Sequence, residues 1–90
     1  MANEIKWTRR ASKQLEKIDV RYIARIDQKV KELASFPDVE LDIKDLRGKQ
    51  YENQYRLRVG NYRVIFEVIA GVPTVIEVQE VLKRSERTYN

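Results

Sequence analysis

The chemistry open to this chain of 90 residues is set first by three arginines and their spacing. In Tyr55-Arg56-Leu57-Arg58-Val59-Gly60-Asn61-Tyr62-Arg63, apolar and charged residues alternate on both sides of Gly60-Asn61, the pattern of two β-strands joined by a two-residue turn. Glycine at the first central position suits a type II′ turn. With Gly60 and Asn61 as the loop, Val59 falls opposite Tyr62, Leu57 opposite Val64 and Tyr55 opposite Phe66, all on one face. Arg56, Arg58 and Arg63 share the other face, with Arg58 and Arg63 directly opposed. Like charges so placed are destabilising by up to about 1 kcal/mol, and an anion held between them relieves the repulsion. A solvated strand face also carries arginines, and the hairpin alone leaves both readings standing.

Charge sorts along the chain around this hairpin. From Leu46 to Arg63 there are five basic residues, Arg47, Lys49, Arg56, Arg58 and Arg63, against the single acid Glu52. The preceding segment, Asp38 to Asp45, holds Asp38, Glu40, Asp42 and Asp45 against Lys44. The tail from Lys83 to Asn90 adds Lys83, Arg84, Arg87 and the aromatic Tyr89. Tyr89 reads either as part of a frayed terminus or as a base-stacking platform beside a phosphate-binding patch, a combination that holds single-stranded RNA.

These residues need elements to position them. Glu4 to Trp7 alternates as a short strand, with Ile5 and Trp7 on one side. Thr8 can cap a helix whose Ala11, Leu15 and Ile18 form one apolar stripe. Asp19 is placed to cap a second helix with Ile23, Ile26, Val30 and Leu33 at helical spacing, and Phe36-Pro37 ends it. Val39 to Gln50 reads as a connection with Gly48 as its turn residue, pinned to the core by Leu41, Ile43 and Leu46. Strands follow over Tyr51 to Val59, Tyr62 to Ile69 and Thr74 to about Leu82, with Pro73 at the start of the last. Keeping apolar faces together pairs Phe66 with Ile76 and Val64 with Val78, which sets Gln79 opposite Arg63. The expected fold is α+β: a small antiparallel sheet of about four strands packed against an amino-terminal two-helix hairpin.

Composition narrows the class. Eighteen basic and 14 acidic residues give a net charge of +4, a weak pointer to nucleic acid by itself. There is no cysteine, so neither a disulfide framework nor a thiolate metal site is available. No apolar run approaches the ~20 residues of a membrane span, and the amino terminus lacks the apolar stretch of a signal peptide. The expectation is a soluble, cytoplasmic protein with no membrane association.

The order of elements, together with Leu46-Arg47-Gly48, Tyr55-Arg56-Leu57-Arg58, Tyr62-Arg63-Val64-Ile65-Phe66, Lys83-Arg84 and a closing Tyr89, resembles the RelE/ParE superfamily of bacterial toxins. The resemblance covers nearly the whole chain and implies one RelE-like toxin domain over residues 1–90. Resemblance to the RelE branch implies a ribosome-dependent endoribonuclease that cuts messenger RNA in the ribosomal A site by attack of a ribose 2′-oxygen on the adjacent phosphate. Arg56 and Arg58 stand where RelE has two lysines. Arg63 matches its phosphate-binding arginine, Arg84 the arginine associated with protonating the leaving group, and Tyr89 the tyrosine that stacks on the RNA. Arg47, Lys49, Lys83 and Arg87 are the residues expected to accompany them in binding RNA. No metal or other cofactor is implied, and the implied partners are a cognate antitoxin, the ribosome and messenger RNA.

Two departures bear on the chemistry. A guanidinium is effectively never deprotonated, so Arg56 and Arg58 can clamp a phosphate but make poor general bases. The chain has no histidine, which leaves Lys49, Glu52 and Glu86 as ionisable candidates for the base. Two other functions fit the same fold: a ParE-like inhibitor of DNA gyrase, for which the arginines are only a basic surface, and a toxin-like binding module without activity.

Overall fold

The computed structural model describes residues 2–46 and 52–83. Its elements run β1 (Glu4–Trp7), α1 (Arg9–Glu16), α2 (Val20–Lys31), a 3₁₀ turn (Glu32–Ser35), β2 (Ile43–Asp45), β3 (Gln54–Val59), β4 (Tyr62–Ile69) and β5 (Val75–Lys83). The strands form one sheet in the order β1-β5-β4-β3-β2. The fold is α+β, with the two helices packed on one face of a mostly antiparallel sheet.

Both helices begin where a polar side chain replaces a missing backbone partner. Thr8 Oγ1 accepts from the Ala11 amide at 3.1 Å, and Asp19 Oδ1 accepts from the Arg21 amide at 2.9 Å. The Arg21 guanidinium returns to the same carboxylate, with Nη2 2.8 Å from Oδ2. That side-chain bond first, and the backbone bond second, hold the Asp19 carboxyl at about 2, below its ordinary 3.8.

The apolar stripes of the helices meet the inward pleat of the sheet. Ala11, Ile26, Val30 and Leu33 are fully buried against Leu57, Val64, Phe66, Ile76 and Val78, with Leu15 and Ile18 packed beside them. Burial of each large side chain contributes roughly 1.5–3 kcal/mol. Phe36 closes one end of this core, its ring 5.2 Å from Tyr55 and 5.6 Å from Phe66. Asn3 ties the amino terminus to the same corner by donating to the Leu33 and Phe36 carbonyls at 3.1 and 2.8 Å.

Several expectations need correction. The sheet has five strands rather than about four, because Ile43–Asp45 pairs antiparallel with β3 through Ile43↔Leu57 and Asp45↔Tyr55. Three residues are too few to display a strand period, so the segment reads as a connection in sequence. The sheet is also not wholly antiparallel, since β1 runs parallel to β5. Strand β3 starts at Gln54, after Asn53 takes a positive φ of 65°, and β5 starts at Val75. Ile23 stays out of the core cluster, and Tyr22 replaces it by bringing its ring 5.3 Å from Tyr62.

The β4–β5 register differs for a local reason. Phe66 faces Val78 and Val64 faces Val81, while Arg63 faces Leu82 rather than Gln79. A β-bulge lies between Ile65 and Phe66 on the β4 side, and on β5 it leaves Gln79 as the extra residue. Its side chain is fully engaged there. Gln79 Nε2 donates to Glu67 at 2.8 Å and Glu77 at 3.1 Å, and Gln79 Oε1 accepts from Gln54 Nε2 at 2.9 Å. Beyond the bulge α1 takes over from β1 beside β5: Thr8 Oγ1 donates to the Gln79 carbonyl at 3.3 Å, and Gln14 Oε1 accepts from the Val81 amide at 2.6 Å. Among the described residues, no helix is long and apolar enough to cross a membrane.

Candidate nucleic-acid interface

The β3–β4 hairpin has the register its alternation predicts. Val59 faces Tyr62, Leu57 faces Val64 and Tyr55 faces Phe66. Gly60 has φ +58°, and among the described residues the only non-glycine with positive φ is Asn53. A positive φ at the first turn position alone is the type II′ signature.

On the outward pleat, Arg58 and Arg63 face each other across β3 and β4. Both are exposed, and among the described residues neither has a carboxylate within ion-pair distance. Arg56 sits two residues back on the same pleat, between Ile65 of β4 and Lys44 of β2. It differs from the other two. Its Nη2 lies 3.5 Å from Asp42 Oδ1 with the side chain 21% exposed, and its Nε is buried without a hydrogen-bond partner. Asp42 is anchored beside it because its carbonyl accepts from the Arg58 amide at 2.9 Å.

Lys44, an isolated base in an acidic segment of the sequence, joins this face. The signal that would find it is the pairing of β2, which brings it opposite Arg56. Lys83 faces Tyr62 and so belongs by alternation to the helix-side pleat, away from Arg58 and Arg63. Arg47, Lys49, Arg84, Arg87 and Tyr89, with the base candidate Glu86, lie outside the described residues. Glu52 is described and exposed in the turn before β3.

The outward face has two electrostatic ends. Lys44, Arg56, Arg58 and Arg63 lie toward the hairpin turn, whereas Glu67 faces Glu77 at the far end with Gln79 bridging them. Ile65 separates the two ends along β4. Such a surface can hold an anion at its basic end by charge-assisted hydrogen bonds from planar guanidinium groups. Among the described residues, no group of three or more Asp or Glu side chains converges as a metal site would require.

A sheet of this topology with a two-helix layer and a basic outward hairpin defines the class as RelE-like. The fold matches the crystal structure of the RelBE2 toxin–antitoxin complex of Mycobacterium tuberculosis with a TM-score of 0.77, at 22% identity over 93% of this chain and 100% of that one. It matches the isolated RelE toxin of E. coli with a TM-score of 0.75, at 26% identity over 97% and 88%. The family model for the ParE toxin of type II toxin–antitoxin systems matches residues 5–88, and the chain belongs to that family within the RelE/ParE superfamily. A further similarity is to Toxin RelE3 of Methanocaldococcus jannaschii, 56% identical over 34 residues. That match spans 38% of this chain and 36% of that toxin.

Proposed function

We propose that this toxin acts as a ribosome-dependent endoribonuclease, cutting messenger RNA in the ribosomal A site and thereby stopping translation. The observation that carries the reading is the opposed pair Arg58 and Arg63, exposed on a sheet face that the helices leave open, with Arg56 and Lys44 alongside. In the reaction the ribose 2′-hydroxyl gives its proton to water, its oxygen forms a bond to phosphorus, and the bond to the 5′-oxygen breaks as that oxygen takes up a proton. The phosphorane gains negative charge on its way to a 2′,3′-cyclic phosphate. Fixed positive charge at that point stabilises the transition state more than the ground state, which is what accelerates a reaction. Arg58 and Arg63 supply that charge and Arg56 orients the strand. In the same reading Arg84 hydrogen-bonds the leaving oxygen as it takes up a proton from water, and Tyr89 stacks on a base, with Arg47, Lys49 and Arg87 along the RNA.

The cognate antitoxin is the expected protein partner, supported by the Mycobacterium tuberculosis relative having been crystallised as a toxin–antitoxin complex. A second reading is favoured by the family match itself, whose description names ParE: inhibition of DNA gyrase through protein binding, with no RNA cut. Induction in cells separates the two. The nuclease predicts translation arrest with discrete message ends, while DNA-damage signalling with intact messages would establish the gyrase reading instead.

A further inference from the structure

The bulge in β5 changes what the arginine face presents. Val78 and Val81 are both buried, so the two residues between them cannot alternate across the sheet. Both lie on the outward side: Gln79 bonds Glu67, Glu77 and Gln54 there, and Glu80 faces Ile65. Gln79 is spent on those bonds. The Glu80 carboxylate has one contact among the described residues, with Arg10 Nη2 at 3.9 Å. The Arg10 and Glu80 side chains are 71% and 34% exposed, and an ion pair so long and open adds little stability.

Glu80 stands beside the basic end of this face. Leu82, next on the same pleat, faces Arg63. Arg63 is therefore the diagonal neighbour of Glu80 across the ladder, about 7–8 Å away between backbone positions. Among the described residues no ion pair joins the two, so carboxylate and guanidinium stay apart. The floor between them is apolar. Ile65 is half-buried, and Leu82, at 38% exposed, is a large aliphatic side chain left open on the face that carries the arginines.

We infer that Glu80, Ile65 and Leu82 form a nucleobase subsite that selects guanine, next to the phosphate held by Arg58 and Arg63; the inference rests on the proposed nuclease reading. Sequence in a single strand is read on the edges of unstacked bases. An aliphatic floor takes the face of any base, whereas an ionised carboxylate only accepts hydrogen bonds. Guanine carries two adjacent donors on its Watson–Crick edge, N1–H and the N2 amino group, and the two carboxylate oxygens accept both at once. Adenine and cytosine set an acceptor nitrogen beside their amino donor, and uracil flanks its one N–H with carbonyl oxygens. Each of these turns a lone pair toward the carboxylate, and a site built to accept two hydrogen bonds rejects a base that offers only one.

The test measures cleavage rates at saturating toxin in a purified translation system, on messages that differ only in the base on either side of the cut. Wild type should cut fastest with guanine at one of these positions, by at least ~5-fold over adenine, the lower end of what a bidentate base contact discriminates. Inosine at that position lacks the N2 amino group and should fall between the two. Glu80→Gln pairs one acceptor with one donor, the pattern that suits adenine, so it should lose the guanine preference and cut the adenine message at least as fast. Glu80→Ala should cut both alike, and thermal melting should place both variants close to the wild-type midpoint. Wild-type cutting with no base preference, with preference for another base, or with inosine as good as guanine overturns the inference alone, and these arms need no variant. A guanine preference that Glu80→Gln and Glu80→Ala leave unchanged also overturns it. No cutting by the wild type overturns the nuclease reading and this subsite with it.

Discussion

Arg58 and Arg63 carry opposite consequences for function and for stability. Removing one donor aimed at developing negative charge typically lowers a rate by about 10²–10³-fold, and Arg63→Ala is expected to do so in a message-cleavage assay. The same change removes a like-charge pair from the hairpin, so chemical denaturation should show the variant as stable as the parent or up to about 1 kcal/mol more stable. A like-charge pair of this kind is legible in sequence because the turn fixes the register, and Gly60-Asn61 fixes it without tertiary information. Arg56 is less legible: the carboxylate that binds it, Asp42, is 14 residues away and meets it only through the pairing of β2. At Asp19 the prediction concerns pH. The folded carboxyl titrates at about 2 against an ordinary 3.8, so its contribution to stability is complete above the higher value and is lost as pH falls through the lower one. Asp19→Asn keeps an oxygen for the Arg21 amide but carries no charge. The stability advantage of the wild type over this variant should therefore shrink between pH 4 and pH 2.

At the scale of elements, the turn and the bulge set what the outward face presents. Gly60 has room for a methyl group, whose nearest neighbour would be Tyr22 Cε1 at 3.9 Å, so the obstacle to alanine is its φ of +58° rather than space. Gly60→Ala should cost about 1–2 kcal/mol in denaturant unfolding. Gln79 separates two opposed carboxylates by donating to both. Gln79→Ala should destabilise by roughly 1–3 kcal/mol, and Glu77→Gln in the same background should recover part of that by removing the exposed repulsion. The helix starts and the β3–β4 register follow from local rules acting on Thr8, Asp19 and Gly60, whereas α2 ends at Lys31 and passes into a 3₁₀ turn well before Pro37. The bulge does not, because alternation through Ile76 and Val78 gives no sign of an extra residue until Gln79 finds acceptors on two other side chains. Strand β2 and the parallel placement of β1 are likewise tertiary: their backbone ladders form with partners ten or more residues away.

Across the whole molecule, two positively charged faces lie on opposite sides of one sheet. The outward face opposes arginines at its hairpin end and carboxylates at its far end, while residues 9–31, which hold the helices, carry eight bases against three acids. The central claim is that the arginine face cuts messenger RNA on the ribosome, and primer-extension mapping of a defined message in a purified translation system tests it most directly. Wild type should give discrete cuts in the A site that need ribosomes, and Arg63→Ala and Arg84→Ala should each suppress them. Intact message with wild-type toxin and ribosomes present, or undiminished cutting by both variants, would contradict the account.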